Sequence, residues 1–388
     1  MERRESIAET LERSMQEAQW RLGALLLDPY LSVRDIGYID EGEPFGSDVT
    51  ATAGVGLRGY LPIGNPTTVA IHALPEYSAY FDNSERNQLN FSYGVGLFSN
   101  YGRIGLELSA RQEERDDFFS GELNRRVTNH IGYGVVSFEV DLGRGVSLFG
   151  AAEPRRYEYS EPIAALGVTF VDQERDEELL RAGFRLELPR GLSIALGVED
   201  SAADFDSSTN DRSNSGVAPL LQFHYDAHPF YFDANLALRE LEPEVGSRFV
   251  AYDEESGDFG FAWRTSPRWQ LQVFGRSNLV YSLDPTWVYY QDDALGIAAE
   301  LGLSSNTSVR LFYERGNNDY TGGESATTRN EDLDSVGGTV RVHFGRGIVL
   351  QASARETEYS AVDAGLNRSF ATFTMGLTFG SKSGAPWG

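Results

Sequence analysis

The sequence predicts an all-β protein, a transmembrane antiparallel up-and-down β-barrel of about eighteen strands with a short N-terminal helix. Three observations predict it. Apolar residues alternate with polar ones at period 2, on a face that carries no charge. Tight and long connections alternate along the chain. No stretch approaches 18 consecutive apolar residues, so no transmembrane helix is expected.

Residues 1–19 carry the one helical pattern. Ser6 and Glu9 form a capping box, and Ile7, Leu11 and Met15 recur every four residues. Residues 1–24 are expected to form a short periplasmic helical segment, with a lumen plug or a partner-binding helix as alternatives. The start Met1–Ser6 lacks the pattern of an export signal, and the apolar run Leu22–Leu27 is short. That signal is expected to be removed or to lie upstream of an assumed start.

From about Pro29 the period switches to 2. In 103–111, Ile104, Leu106, Leu108 and Ala110 alternate with Arg103, Glu107 and Arg111. In 191–199, Leu192, Ile194, Leu196 and Val198 alternate with Ser193, Ala195 and Glu199. The first nine expected strands are 29–40, 48–61, 66–80, 87–99, 101–114, 127–142, 145–159, 178–189 and 191–204. The second nine are 215–226, 229–242, 255–265, 268–281, 293–303, 306–320, 334–345, 347–360 and 367–379. The count becomes sixteen if one hairpin is misread. The barrel thus occupies residues 25–380, and 381–388 form a short tail.

Tight links such as Gly143-Arg-Gly145, Pro189-Arg-Gly191 and Gly345-Arg-Gly347 separate longer polar segments such as 113–126, 160–177, 203–215, 242–258 and 320–334. Both chain ends fall on the tight-turn side. Bacterial barrels have short periplasmic turns and long outer loops, so the tight turns and both termini are expected in the periplasm.

Alternation alone also fits soluble sheets, so a physical argument must decide. A ring of about eighteen strands encloses a lumen too wide for side chains to fill. Its apolar face must point outward, which is stable only against lipid. Trp269 and Tyr281 end one strand on the apolar parity. The steps between them, at roughly 3.3 Å each and tilted by about 45°, project to roughly 28 Å, close to a lipid-facing band bounded by aromatic girdles. Trp263, Trp269, Tyr281, Tyr313, Phe344 and Phe379 are the candidate girdle residues.

The polar parity supplies candidate lumen-lining residues: Arg58, Arg103, Glu107, Arg111, Arg181, Arg185, Arg276, Glu300, Arg310 and Arg341. They would set a local field along an open lumen, or cross-link a wet wall through Arg–carboxylate pairs. The net charge of −25 argues against a nucleic-acid partner. With no cysteine, thiolate metal sites, thiol nucleophiles and disulfides are excluded. Acidic clusters at Asp116-Asp117, Asp172–Glu178, Asp204/Asp206/Asp211, Asp253–Glu255 and Asp292-Asp293 lack calcium-loop spacing and read as solvated charge. An acidic mouth is expected to favour cations at low salt.

The five histidines are scattered, and neither G-x-S-x-G nor H-E-x-x-H occurs. No catalytic, cofactor-binding or metal residue is therefore expected. His130 is the best placed of a poor set for an outer-membrane hydrolase.

Asp35-Ile-Gly-Tyr-Ile-Asp40, the repeated hairpins and a final strand ending Leu377-Thr-Phe379 resemble bacterial outer-membrane β-barrel porins of the second type, over about residues 25–380. The resemblance implies passive passage or a role near surface polysaccharide, and no catalytic residues. Terminal aromatics of such barrels are read by the outer-membrane assembly machinery; here Gly380–Gly388 follow Phe379. The leading expectation is a passive channel for small hydrophilic solutes, in contact with outer-membrane lipid and lipopolysaccharide. A surface scaffold or polysaccharide-export port is the alternative.

Overall fold

The computed structural model describes residues 7–41, 46–64, 66–120, 122–159, 173–208, 210–266, 268–284, 286–322, 329–345, 347–361 and 367–380. Helix α1 (Ile7–Glu17) is followed by the short strand β1 (Trp20–Leu22) and then by eighteen strands that form a ring. The first six are β2 (Leu25–Asp40), β3 (Ser47–Ile63), β4 (Thr67–Tyr80), β5 (Gln88–Asn100), β6 (Ile104–Ser120) and β7 (Leu123–Gly143). Next come β8 (Val146–Tyr159), β9 (Arg175–Leu188), β10 (Leu192–Phe205), β11 (Asn214–Ala227), β12 (Phe230–Pro243) and β13 (Tyr252–Ser266). The ring is completed by β14 (Trp269–Tyr281), β15 (Trp287–Gly302), β16 (Thr307–Gly322), β17 (Arg329–Phe344), β18 (Ile348–Ala361) and β19 (Arg368–Phe379).

Every ring strand pairs antiparallel with its sequence neighbours, and β19 closes on β2 through Phe379↔Leu31 to Ala371↔Asp40. Closure leaves no unpaired edge, which is the condition for a sheet to survive in lipid. β1 pairs with β2 outside the ring.

Local chemistry sets the hairpins. In the β7–β8 turn, Gly143, Arg144 and Gly145 all adopt positive φ. A Cβ on Gly145 would lie 2.4 Å from the Glu187 carbonyl oxygen, so both conformation and space require glycine there. In β2, Asp35 has φ +55, and the registers on both flanks of β2 shift around it. This is a bulge. It turns Ile36 and Tyr38 to the exposed side after Leu31.

The predicted parity survives in the sheet. Leu106, Leu108, Phe184, Leu196, Val198, Leu295, Ile297 and Leu311 are all exposed on the outer face. The same strands turn charged and small polar residues inward. Most strands run further than the sequence pattern indicates. β6 and β7 stay paired to Ser120↔Leu123, across a segment expected to be loop, and β15 begins at Trp287 rather than 293. In both places the residues beyond the lipid-facing stretch no longer alternate apolar with polar. Residues 1–6 of the predicted helix, most of the 160–177 segment and the 381–388 tail lie outside the described residues.

Candidate functional site

The inward face of the ring has three levels. At the tight-turn end, α1 packs its apolar face on the wall. Leu11 is buried with Leu26, Tyr60, Ala70 and Phe98, and Met15 and Ala18 pack at the margin. Tyr60, Ala70 and Phe98 lie opposite the exposed Leu61, Ile71 and Leu97, so the surface that holds the helix is the lumen wall. The spacing of Leu11 and Met15 makes one stripe of the helix apolar, and the stripe lies on β2–β5. The helix leaves a cavity of about 510 Å³ beside it, bordered by Glu107, Arg181 and Arg185.

Further along the lumen, arginines and carboxylates form chains. Glu199, 1% exposed, accepts from Arg181 Nε at 2.9 Å and from Arg239 Nη2 at 2.7 Å. Arg181 also donates to Glu153 at 3.0 Å, and Arg185 to Glu139 at 2.7 Å. Further round the wall, Arg276 bridges Asp292 at 2.8 Å and Glu314 at 2.7 Å. Buried Glu331 is held by Arg329 and Arg368 and by the Tyr320 hydroxyl. Such pairing offsets the cost of removing the charges from water and fixes the guanidinium planes.

At the long-connection end, loops fold inward. The tip of the β6–β7 hairpin reaches the β14–β15 connection, nearly opposite in the ring. Glu122 accepts from Ser282 Oγ at 2.7 Å and from the Leu283 N–H at 2.6 Å. The Ser282 carbonyl accepts from Gln173 Nε2 at 2.9 Å and from Arg212 Nη1 at 2.7 Å. Arg212 Nη1 also donates to the Val288 carbonyl. Arg212, 1% exposed, lies over the Phe205 ring at 4.7 Å. Burial, with Arg175 nearby, lowers its pKa to about 10. Leu241, Phe249, Tyr252, Val288 and Tyr289 bury an apolar cluster beneath these loops.

The predicted lumen residues divide. Arg181, Arg185 and Arg276 join the central networks. Glu107 accepts from Ser109 and Ser137. Arg58 is buried, 3.6 Å from Asp28 and 4.4 Å from the Tyr30 ring centre. Tyr30 in turn bonds His72 at 2.7 Å. Arg111 lies over Tyr133 and 3.7 Å from Glu113. Glu300, Arg310 and Arg341 border an open recess at the tight-turn end. Arg103 sits exposed in the turn just before β6 begins, and its carbonyl accepts from the Asp141 N–H.

Trp263, Trp269, Tyr313, Phe344 and Phe379 are exposed. Tyr281 is not at the outer rim: Phe205 and Phe249 cover it and Asn214 donates to its hydroxyl. The hairpin end leans into the mouth there, so the face that is apolar in the membrane is covered by loops above it.

Arg156 pairs with Asp176, Asp206 and Glu158, which places part of the acidic loop charge in ion pairs. Among the described residues no three His or carboxylate groups converge as a metal site. His130 lies 3.7 Å from Glu114. Glu122, Arg212 and Ser282 escaped the sequence reading. The one available signal was the aromatic run Trp287-Val-Tyr-Tyr290 inside a supposed loop.

No protein-family model and no curated protein sequence matches the chain. Solved structures do. OccK2 (OpdF) of Pseudomonas aeruginosa, solved alone and in complex with glucuronate, superposes with TM-score 0.55 at 11% identity, covering 92% of this chain and 97% of that one. The outer membrane protein OpdK of the same organism gives TM-score 0.54 at 9% identity, with 91% and 98% covered. OccAB3 of Acinetobacter baumannii gives 0.54 at 8%, with 91% and 99% covered. The chain therefore shares, over nearly its whole length, the closed eighteen-strand barrel fold of bacterial outer-membrane proteins.

Proposed function

We propose that the protein is a passive outer-membrane channel for small hydrophilic solutes. The observation that carries this reading is the inversion of the barrel: large apolar side chains cover its outside, while the lumen is lined by ion-paired arginines and carboxylates. A wall of this kind stays hydrated, and its fixed charges and inward loops select among solutes without any energy input. The complex of OccK2 with glucuronate supports a small polar solute as cargo. The tight turns and α1 face the periplasm, and the folded loops face outside. In this reading α1 and the loop cluster narrow the two ends of the path. Outer-membrane lipid and lipopolysaccharide surround the apolar belt.

Liposome swelling tests the proposal. Vesicles carrying the protein are expected to swell in isotonic arabinose and to swell more slowly in a tetrasaccharide. Equal rates for protein-bearing and empty vesicles in every sugar would refute it.

A further inference from the structure

We propose that the lumen space against the inner wall of β7–β14, beneath the loop cluster, binds a neutral polyhydroxylated ring of monosaccharide size. The inference rests on the channel reading above and names its solute class. On β9, β10 and β12, Arg181, Glu199 and Arg239 alternate with Leu180, Val198 and Leu238, which are exposed on the outer face. The three charged side chains therefore face the lumen. Glu199 is the Cα partner of Ala218 on β11, whose small side chain lets Arg239 of β12 reach over it. Two adjoining spaces lie against this wall, of about 460 Å³ and about 350 Å³, and Glu153, Arg155, Arg239 and Asn278 border both. Arg181 and Gln222 border the second space and also the cavity beside α1. The three spaces thus follow one side of the lumen from the loops to the helix, each within the span of roughly 300–1,000 Å³ usual for small-molecule sites.

Fixed charge in the two upper spaces is matched group by group. Arg155 donates to Glu153 at 3.0 Å, and Arg181 to Glu153 at 3.0 Å and to Glu199 at 2.9 Å. Arg239 meets Glu199 at 2.7 Å, and Arg175 donates to Glu177 at 2.7 Å. Asp258, the fourth inward carboxylate, accepts from Asn235 Nδ2 at 3.4 Å. Four guanidiniums thus stand against four carboxylates; Glu178, on the parity of Leu180, is exposed on the outer face. An ion entering meets both signs at short range. Attraction and repulsion offset each other, while the loss of its hydration is not offset. A neutral ring escapes that cost. Between the ion pairs the wall offers the amides of Gln222, Asn235 and Asn278 and the hydroxyl of Ser201. These groups both donate and accept, as ring hydroxyls do. Tyr157 and Tyr159 add apolar surface at the upper end for the C–H groups of such a ring.

Binding is measured apart from conduction, by titration calorimetry of the full-length protein in detergent. Glucose, glucuronate and glucosamine share one ring and differ in charge. Glucose is expected to bind saturably, and both charged analogues at least tenfold more weakly. E153Q removes a carboxylate from the middle of the chain and leaves excess positive charge, so it is expected to raise the affinity for glucuronate relative to glucose at least tenfold. A purely structural role for Glu153 would not move that preference. N278L, which removes an amide bordering both spaces, is expected to weaken glucose binding at least fivefold. The proposal is overturned if glucose does not saturate the wild type, if either charged analogue binds it as tightly, or if E153Q leaves the preference unchanged. Should a variant fail to assemble, the three probes on the wild type still decide. Vesicles that swell in arabinose while glucose fails to bind would refute the site and keep the channel; glucose binding without swelling would do the reverse.

Discussion

Glu122 and Ser282 stand 160 residues apart in the chain, yet the serine hydroxyl donates to the Glu122 carboxylate at 2.7 Å across the mouth of the barrel. With the Leu283 N–H as a second donor, this contact ties the β6–β7 hairpin to the far wall. Two hydrogen bonds to one carboxylate make it a latch.

Removing the carboxylate should free the hairpin. E122A is expected to cost the closed arrangement about 2 kcal/mol, or roughly 30-fold in the ratio of latched to released forms. Single-channel conductance should rise and the loop should become cleavable by added protease. Unchanged conductance and unchanged cleavage would remove the latch from the account.

The latch should also respond to pH. Burial raises the Glu122 pKa above the ordinary carboxylate value, even though its hydrogen bonds and nearby Arg329 and Arg368 act the other way. A released Glu122 titrates at its ordinary value, so the latched form binds the proton more readily. Its stability is fully present below the ordinary value and declines as pH rises through the raised one. Conductance is expected to increase with pH over that window, and E122Q to lose the dependence. A decrease with rising pH would contradict the assignment.

Arg212 fastens the β10–β11 connection to two main-chain carbonyls, of Ser282 and Val288. R212A leaves both without that donor and uncovers the Phe205 ring, a loss of about 2–4 kcal/mol from the loop cluster. Protease should cut 206–212 faster, while the heat-modified mobility of the barrel stays as before. A barrel that no longer forms would mean that the loops support the ring itself.

At the opposite end, L11D places a charge where Leu11 packs on Tyr60 and Phe98. Losing that packing costs about 3 kcal/mol, enough to undock a short helix. Conductance is expected to rise with no change in barrel stability.

The two faces should differ in tolerance. Leu196 is 61% exposed on the outer face, and L196R should destabilise the folded barrel by about 2–4 kcal/mol in lipid. Q222R, on the inward face next to exposed Leu221, should cost much less. Urea titration in vesicles measures both. Equal penalties would contradict the inside-out arrangement.

Strands such as β10 and β16 were legible because one buried or lipid-covered parity demands apolar residues at every second position. The turns were legible because Gly143 and Gly145 adopt backbone conformations that few other residues accept. The mouth was not legible. Glu122, Arg212 and Ser282 are polar residues in polar segments, and neither periodicity nor spacing records that a hairpin tip meets a connection on the far wall. Tyr281 misled for a related reason: its parity is that of the outer face, but the hairpin bends inward above the membrane and loops cover it. Arg181 and Arg276 share the polar parity of their strands, yet the carboxylates that each one meets depend on which residues lie across the neighbouring strands.

A passive channel needs a water-filled path through the barrel. Planar-bilayer recording of the purified full-length chain tests it most directly. Conductance steps of uniform size are expected, larger in L11D and in E122A than in the wild type. Bilayers that remain silent for the wild type and for both variants, with the barrel shown to be folded, would contradict it.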